Sequence, residues 1–306
     1  MKKILVTGGS GKAGRATIKT LLENNYDVFN VDLEKSIDDN TPFTCVDLEN
    51  FGETMETITQ IDDRINGIDA IIHQAAIPAS GLYPNHKTFR VNTLSTYNIF
   101  QCAEVMKVNN IVWASSETVL GLPFDTYPPY VPVDEDYPPR PESSYSLSKV
   151  MGEELARQYC RRNKDMKIFG LRYSNIMEVN DYKMFNDFQE DPYERKWNFW
   201  GYIDARDVGQ ACLLALESKL KGADNFIIAA EDTCMNKTNK ELLETVFPNI
   251  NIKGDIEEHK TLLNIDKAKK ILGFKPEYSW RNICLLYTSP SPRDQRGSGV
   301  AACACE

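Results

Sequence analysis

Residues 3–14, KILVTGGSGKAG, decide the fold. An apolar run enters a turn with glycines at 8, 9, 11 and 14 and leaves it in the helical pattern KAGRATIKTLLENN. In that order of strand, glycine loop and helix, the helix amino terminus can hold a pyrophosphate. Gly8 permits the tight turn, Gly11 lets the backbone approach the phosphates, and Gly14 allows close helix–strand packing, with Lys12 and Ala13 between them. The next strand, VFNVD, ends in Asp32, a carboxylate placed to accept hydrogen bonds from ribose hydroxyls and to repel a 2′-phosphate. NAD is therefore favoured over NADP, although Lys35 leaves the choice open.

Outward from this unit the alternation continues. TPFTCVDL, IDAIIHQAA, NNIVWASS and MKIFGLRYSN read as four further strands, separated by helical patterns at FGETMETITQI, TLSTYNIFQCAEVMKVN and SYSLSKVMGEELARQYCRR. This predicts an α/β protein with a doubly wound parallel sheet covered on both faces. Prolines at 123, 128, 129, 132, 138, 139 and 141 predict an extended surface loop before the third of those helices. After Asn175 a polar, aromatic stretch is followed by the helix IDARDVGQACLLALES, the strand DNFIIAA and two short helices, NKELLETVF and NIDKAKKILGF. The predicted organisation is a dinucleotide-binding domain over residues 1–175 and a small C-terminal substrate subdomain over 176–283, interleaved with the sheet as a lid. Residues 284–306, rich in Ser, Pro, Gly and Ala, read as a non-native or disordered tail.

Composition narrows the class. With 42% hydrophobic and 26% charged residues in a chain of 306, this is a folded protein and neither disordered nor collagen-like. Its 35 basic and 44 acidic side chains, net −9, argue against nucleic acid and anionic membrane as partners. No apolar run is long enough to span a bilayer, and the opening MKKILVTGG reads as a strand, so a cytoplasmic location is expected. The eight cysteines form no CxxC pair and the three histidines are scattered, so no metal site and no disulfide framework is expected. His73, ending a buried strand, reads as a core histidine.

Tyr145 and Lys149, four apart at the start of a helix, share one face. An ammonium beside a phenol favours the phenolate, which predicts a Tyr145 pKa lowered from about 10 toward neutrality and a usable general acid/base. Ser116, at the carboxyl end of the fifth strand, lies where open α/β sheets bind ligands. Asp47 and Leu48, ending the third strand, are placed to reach the adenine edge.

Taken in order, TGGSGKAG, Asp32, Asp47-Leu48, HQAA (73–76), VN (91–92), SSETVLG (115–121), YSLSK (145–149) and LRYSN (171–175) resemble the extended short-chain dehydrogenases/reductases, and more narrowly the NAD-dependent epimerase/dehydratase family. The resemblance implies a Rossmann-like fold and a hydride transfer at a carbinol carbon of a sugar-like substrate. Tyr145, Lys149 and Ser116 would be catalytic. Among the cofactor-site residues, Gln74, Ala75 and Ala76 would line the dinucleotide groove, Asn92 would steady the helix and strand behind it, and Tyr173 and Ser174 would lie near the nicotinamide; Ser116, Glu117, Asn175 and Arg172 would border the substrate. Arg172 would face a substrate carboxylate, with a structural ion pair as the alternative.

Departures sharpen this. Leu120 stands where many relatives carry Tyr, and Glu117-Thr118 replaces the Asp-Glu pair that dehydration requires. The segment between Asn175 and Asp204 is short for gripping a nucleotide, which points to a free sugar, sugar acid or lactone. Its Trp197, Phe199 and Trp200 suit either stacking on a sugar or the subdomain core. Sugar epimerase and sugar or uronate dehydrogenase stay open, with UDP-sugar 4-epimerase and a non-catalytic dinucleotide-binding module as alternatives. A homodimer is a family-level expectation.

Overall fold

The computed structural model describes residues 1–36, 41–62 and 65–282. The proposed tail at 284–306, with Cys284, Cys303 and Cys305, lies outside them, as does Ile283. Seven strands form one parallel sheet: β1 (Lys3–Thr7), β2 (Asp27–Asp32), β3 (Phe43–Cys45), β4 (Ala70–His73), β5 (Asn110–Ser116), β6 (Lys167–Tyr173) and β7 (Gly222–Ile228). Their order is β7-β6-β5-β4-β1-β2-β3, so the chain winds outward from β1 in both directions. Register brings Thr7 beside His73 and Ser116 beside Tyr173, aligning the carboxyl ends where the site forms.

Alternation along the strands divides the core into two layers. Ile4, Val6, Ile72, Val112 and Leu171 face helices α1 (Lys12–Glu23) and α5 (Ala205–Glu217). Leu5, Ile71, Ile111, Trp113 and Ile168 face α2 (Phe51–Thr59), α3 (Asn85–Met106) and α4 (Ser144–Arg162). Both faces of each inner strand are buried, which is why those strands read as continuous apolar runs. Helix α3 begins well before the pattern TLSTYNIF, just after Pro84.

Two expectations change. First, α5 packs beside α1 and β7 pairs in parallel with β6, so residues 205–228 belong to the main sheet and not to a lid. Second, the proline-rich segment is not merely a surface loop: Leu122, Phe124, Val131, Val133 and Tyr137 are buried, and Val131 and Val133 donate backbone hydrogen bonds to Asn251 and Leu262. Proline bars helix there but leaves the intervening N–H groups free to pair. This segment, residues 176–203 and the chain around α6 (Asn239–Val246) share a third core. Phe199 and Trp200 are fully buried in it, in tilted and edge-on contact with the Phe247 ring, which settles their role as core and removes them as sugar platforms. Helix α7 (Asp266–Leu272) returns to the α5 face.

Candidate active site

The glycine loop has the conformation its residues allow. Gly8 lies at φ +68°, and a Cβ there would stand 2.5 Å from the Ala75 nitrogen. A Cβ on Gly14 would collide with the Gly8 carbonyl, whereas one on Gly11 would meet only that carbonyl at 3.5 Å. The loop is therefore packed tightly against β4 and α1 and open at Gly11. Gly11 caps α1 without any side-chain hydrogen bond, so the first N–H groups and the positive end of the helix are available to an anion. Asp32 accepts from the Ser10 N–H at 3.0 Å and from Leu33 N–H at 2.7 Å, fixing the carboxylate at the loop. An open loop, an uncapped helix and a fixed acid fit a dinucleotide such as NAD.

Other predicted cofactor residues are placed less uniformly. Lys12 pairs with Asp181 at 2.5 Å, and Ala13 is half-buried at the helix start. Asp47 is exposed, accepting from Glu49 N–H, and Leu48 is buried with its carbonyl bonded to Asn98. Ala75 and Ala76 are half-buried, with the Ala75 N–H on the Thr7 hydroxyl. Gln74 turns its amide away from the groove, donating to Thr17 Oγ1 and Cys212 Sγ. Tyr173 is directed the same way: its hydroxyl meets Cys212 Sγ at 3.1 Å, between the sheet and α5. Asn92 clasps both backbone groups of Ile77 and is a structural clamp. Gln74 and Tyr173 thus turn their polar ends away from the groove, whereas Asn92 has the steadying place that the family resemblance implies for it.

The reacting groups meet at the β5–α4 junction. A capping box, in which Ser143 Oγ accepts from Ser146 N–H and Ser146 Oγ from Ser143 N–H, starts α4 and puts Tyr145 in its first turn. Ser116, Tyr145 and Lys149 are all buried. The Lys149 ammonium donates to the Ala114 carbonyl at 2.8 Å and stands 5.6 Å from the Tyr145 ring centroid. Burial pushes the Tyr145 phenol up to about 12; Ser116 pulls it down by hydrogen bonding, and the Glu117 charge adds to the rise. This direction is opposite to the lowering expected from Lys149, because burial desolvates the phenolate. Burial also pushes Lys149 down to about 8, and holds His73, set between Thr7 and Thr96, down at about 3 and neutral.

Arg172 does not face a substrate. Its Nε and Nη2 each donate to Glu153 at 2.8 Å, both residues being buried, and Ser115 Oγ donates to the same carboxylate at 2.7 Å. The ion-pair alternative holds: β6 alternates, so Arg172 points to the α4 face beneath Lys149. Sequence reading missed Glu153, although its position eight residues after Tyr145 and four after Lys149 puts it on the same helix face.

Glu117, beside Ser116, is buried and accepts from Asn198 Nδ2 at 3.2 Å. Burial pushes its carboxyl up to about 7 despite Ser174, Asn198, Arg195 and the Asn175 backbone, which all favour its charge. Ser174 is buried and Asn175 half-buried at the end of β6, with the Asn175 carbonyl accepting from Ile203 N–H. Sequence reading did not single out Arg195 or Asn198, which come from the aromatic segment.

A dinucleotide cradle at the carboxyl edge of a doubly wound sheet, beside a buried Ser–Tyr–Lys group, defines an extended short-chain dehydrogenase/reductase. The chain belongs to the NAD dependent epimerase/dehydratase family, whose model matches residues 4–229. It is 30% identical over 310 residues to a Methanocaldococcus jannaschii protein for which UDP-glucose 4-epimerase activity has been suggested, covering 90% of this chain and 93% of that one. It is 26% identical over 252 residues to the L-arabinose 1-dehydrogenase (NAD(P)(+)) of Haloferax volcanii, covering 78% and 92%. A solved short-chain dehydrogenase/reductase superfamily protein from Agrobacterium tumefaciens with bound NAD shares the fold, with a TM-score of 0.70 at 23% identity over 96% of this chain and 98% of that one. The protein is accordingly an NAD-dependent enzyme. Among the described residues no helix is long and apolar enough to cross a membrane, and no group of three or more His, Cys, Asp and Glu is placed to hold a metal ion.

Proposed function

We propose that the protein oxidises a carbinol carbon of a small, free sugar or sugar derivative, with Tyr145 as the acid/base. The observation that carries this reading is the convergence of Ser116, Tyr145 and Lys149 at the carboxyl edge of β5, beside the open glycine loop. Tyr145 Oη would take the proton from the substrate hydroxyl while Ser116 Oγ donates a hydrogen bond to the same oxygen. Lys149, held by the Ala114 carbonyl, fixes a positive charge under the phenol. NAD, when bound, supplies the hydride acceptor and a cationic ring that adds to that charge. A small substrate is supported by residues 176–203, whose large aromatics Tyr182, Phe185, Phe199, Trp200 and Tyr202 are spent on the subdomain core.

Incubation with NAD and a panel of free sugars, uronates and UDP-sugars tests this, with absorbance at 340 nm as the readout. NADH accumulating with a free sugar or sugar acid is the expected result. Interconversion of UDP-sugars without net NADH would establish the epimerase reading, which the similarity to the Methanocaldococcus protein favours. Tyr145→Phe should lower kcat about 10³-fold while NAD still binds; unchanged turnover refutes the assignment.

A further inference from the structure

Beyond Ser116 the wall of the site holds polar groups that the hydride transfer does not use. Arg195 is 5% exposed, yet among the described residues no carboxylate lies within 4 Å of its guanidinium. Its neighbours are the Phe188 and Trp197 rings, 5.2 and 4.7 Å away, the Cys234 thiol, and the Gly201 carbonyl, which accepts from Nη2 at 3.0 Å. Its guanidinium also hydrogen-bonds the Cys234 thiol, and its Nε makes no hydrogen bond of good geometry. A buried cation is costly unless an anion meets it, and the nearby Glu117 does so poorly: its carboxyl is held near neutrality by burial even with Arg195 close by.

Beside this guanidinium Asn198 Oδ1 also lacks a partner, and Glu117 Oε2 and Ser174 Oγ make no well-formed hydrogen bond beyond the approach of the Ser174 hydroxyl and the Asn175 backbone to the Glu117 carboxyl. Polar atoms from three different segments thus meet in one place with hydrogen-bonding capacity to spare. The turn that brings Arg195 and Asn198 inward is strained as well. Phe199 and Trp200 are consecutive left-handed residues, at φ +52° and +57°, a conformation that is costly for bulky side chains and persists where the surroundings demand it. Gly201 completes the turn, since a Cβ there would stand 3.0 Å from Ser174 Oγ.

We propose that Arg195 is the receptor for a single anionic group, a carboxylate or a phosphate, carried by the sugar substrate, with Glu117, Ser174 and Asn198 taking hydroxyls beside it. The proposal rests on the reading of the site as a sugar oxidoreductase, and it moves the acid-recognition role from Arg172, which Glu153 neutralises, to an arginine that no described carboxylate pairs with at ion-pair distance. Arg195 is suited to this by its planar fork, which can grip either anion through two parallel hydrogen bonds.

Calorimetric binding to the NAD-loaded full chain tests it with D-glucuronate, D-glucose 6-phosphate and D-glucose as probes. One of the two acidic sugars should bind roughly 100-fold more tightly than D-glucose, and which one does identifies carboxylate or phosphate. Arg195→Gln should remove that preference, and Arg195→Lys, which keeps the charge and loses the fork, should reduce it about tenfold and report even if the Gln variant fails to fold. No preference in the native protein, or a preference that survives both substitutions, overturns the proposal. Binding preference without turnover of any sugar would leave Arg195 as the anion receptor and refute the oxidoreductase reading, so the two failures are distinct.

Discussion

Replacing Arg172 with Met would leave Glu153 as a buried carboxylate with Ser115 as its remaining described side-chain partner. Breaking one side of a buried, bidentate ion pair costs about 3–5 kcal/mol, because the surviving charge keeps its desolvation penalty. For a domain of this size each kcal/mol corresponds to roughly 2 °C, so the melting temperature should fall by about 6–10 °C. The double variant Arg172→Met/Glu153→Leu removes both charges and should regain most of the loss, giving a coupling energy of about 2–4 kcal/mol. Thermal unfolding followed by circular dichroism measures all three proteins, and steady-state kinetics on an acidic sugar runs beside it. A substrate-clamping Arg172 would behave in the opposite way, raising KM with little change in melting temperature. A fall below 2 °C, or a double variant no better than the single, refutes the ion-pair reasoning.

The glycine loop predicts a contrast between neighbours. Gly14→Ala should destabilise the fold, since its Cβ collides with backbone, whereas Gly11→Ala should melt within about 2 °C of the native protein and still lose NAD affinity, because its methyl fills the open side; unfolding and NAD titration separate the two, and normal NAD binding by Gly11→Ala contradicts the cradle. Glu117 predicts a pH effect on stability. Its carboxyl binds a proton more tightly in the folded state, up to about 7 against an ordinary 4.5, so its contribution declines as pH rises between those values, by about 3 kcal/mol in all. Glu117→Gln should therefore gain stability over the native protein progressively from pH 4.5 to 7, and a difference independent of pH would show that the carboxyl is not held protonated.

What could be read from sequence follows from what is local. The strand–loop–helix at 3–23 is legible because glycine spacing and apolar periodicity are properties of neighbouring residues. The face shared by Tyr145 and Lys149 is legible for the same reason. Arg172 was ambiguous because its partner Glu153 comes from another element, and strand alternation tells which face a side chain takes only once that face's occupants are known. Gln74 and Tyr173 were misplaced likewise: both turn toward Cys212 on α5, a helix whose docking against α1 no local pattern announces. The buried strand-like pairing of Val131 and Val133 was hidden by the prolines around them, which mark where helix fails and not where the chain packs.

The sign of the Tyr145 shift has a kinetic consequence. The groups this chain contributes, a phenol up at about 12, an ammonium down at about 8 and a carboxyl up at about 7, are all moved by burial toward their neutral forms. Lys149 still carries its charge at pH 7, yet it does not by itself offset desolvation of the phenolate, and Glu117 works against it. The remaining positive charge must arrive with the oxidised cofactor, so the phenol should become a usable base only in the NAD-bound enzyme. At saturating NAD, kcat/KM for the sugar should rise with pH through an apparent pKa well below 12, and the same rise should be absent in Tyr145→Phe. If the controlling pKa stays near 12 with NAD bound, Tyr145 is not made basic in this way and another group must take the proton.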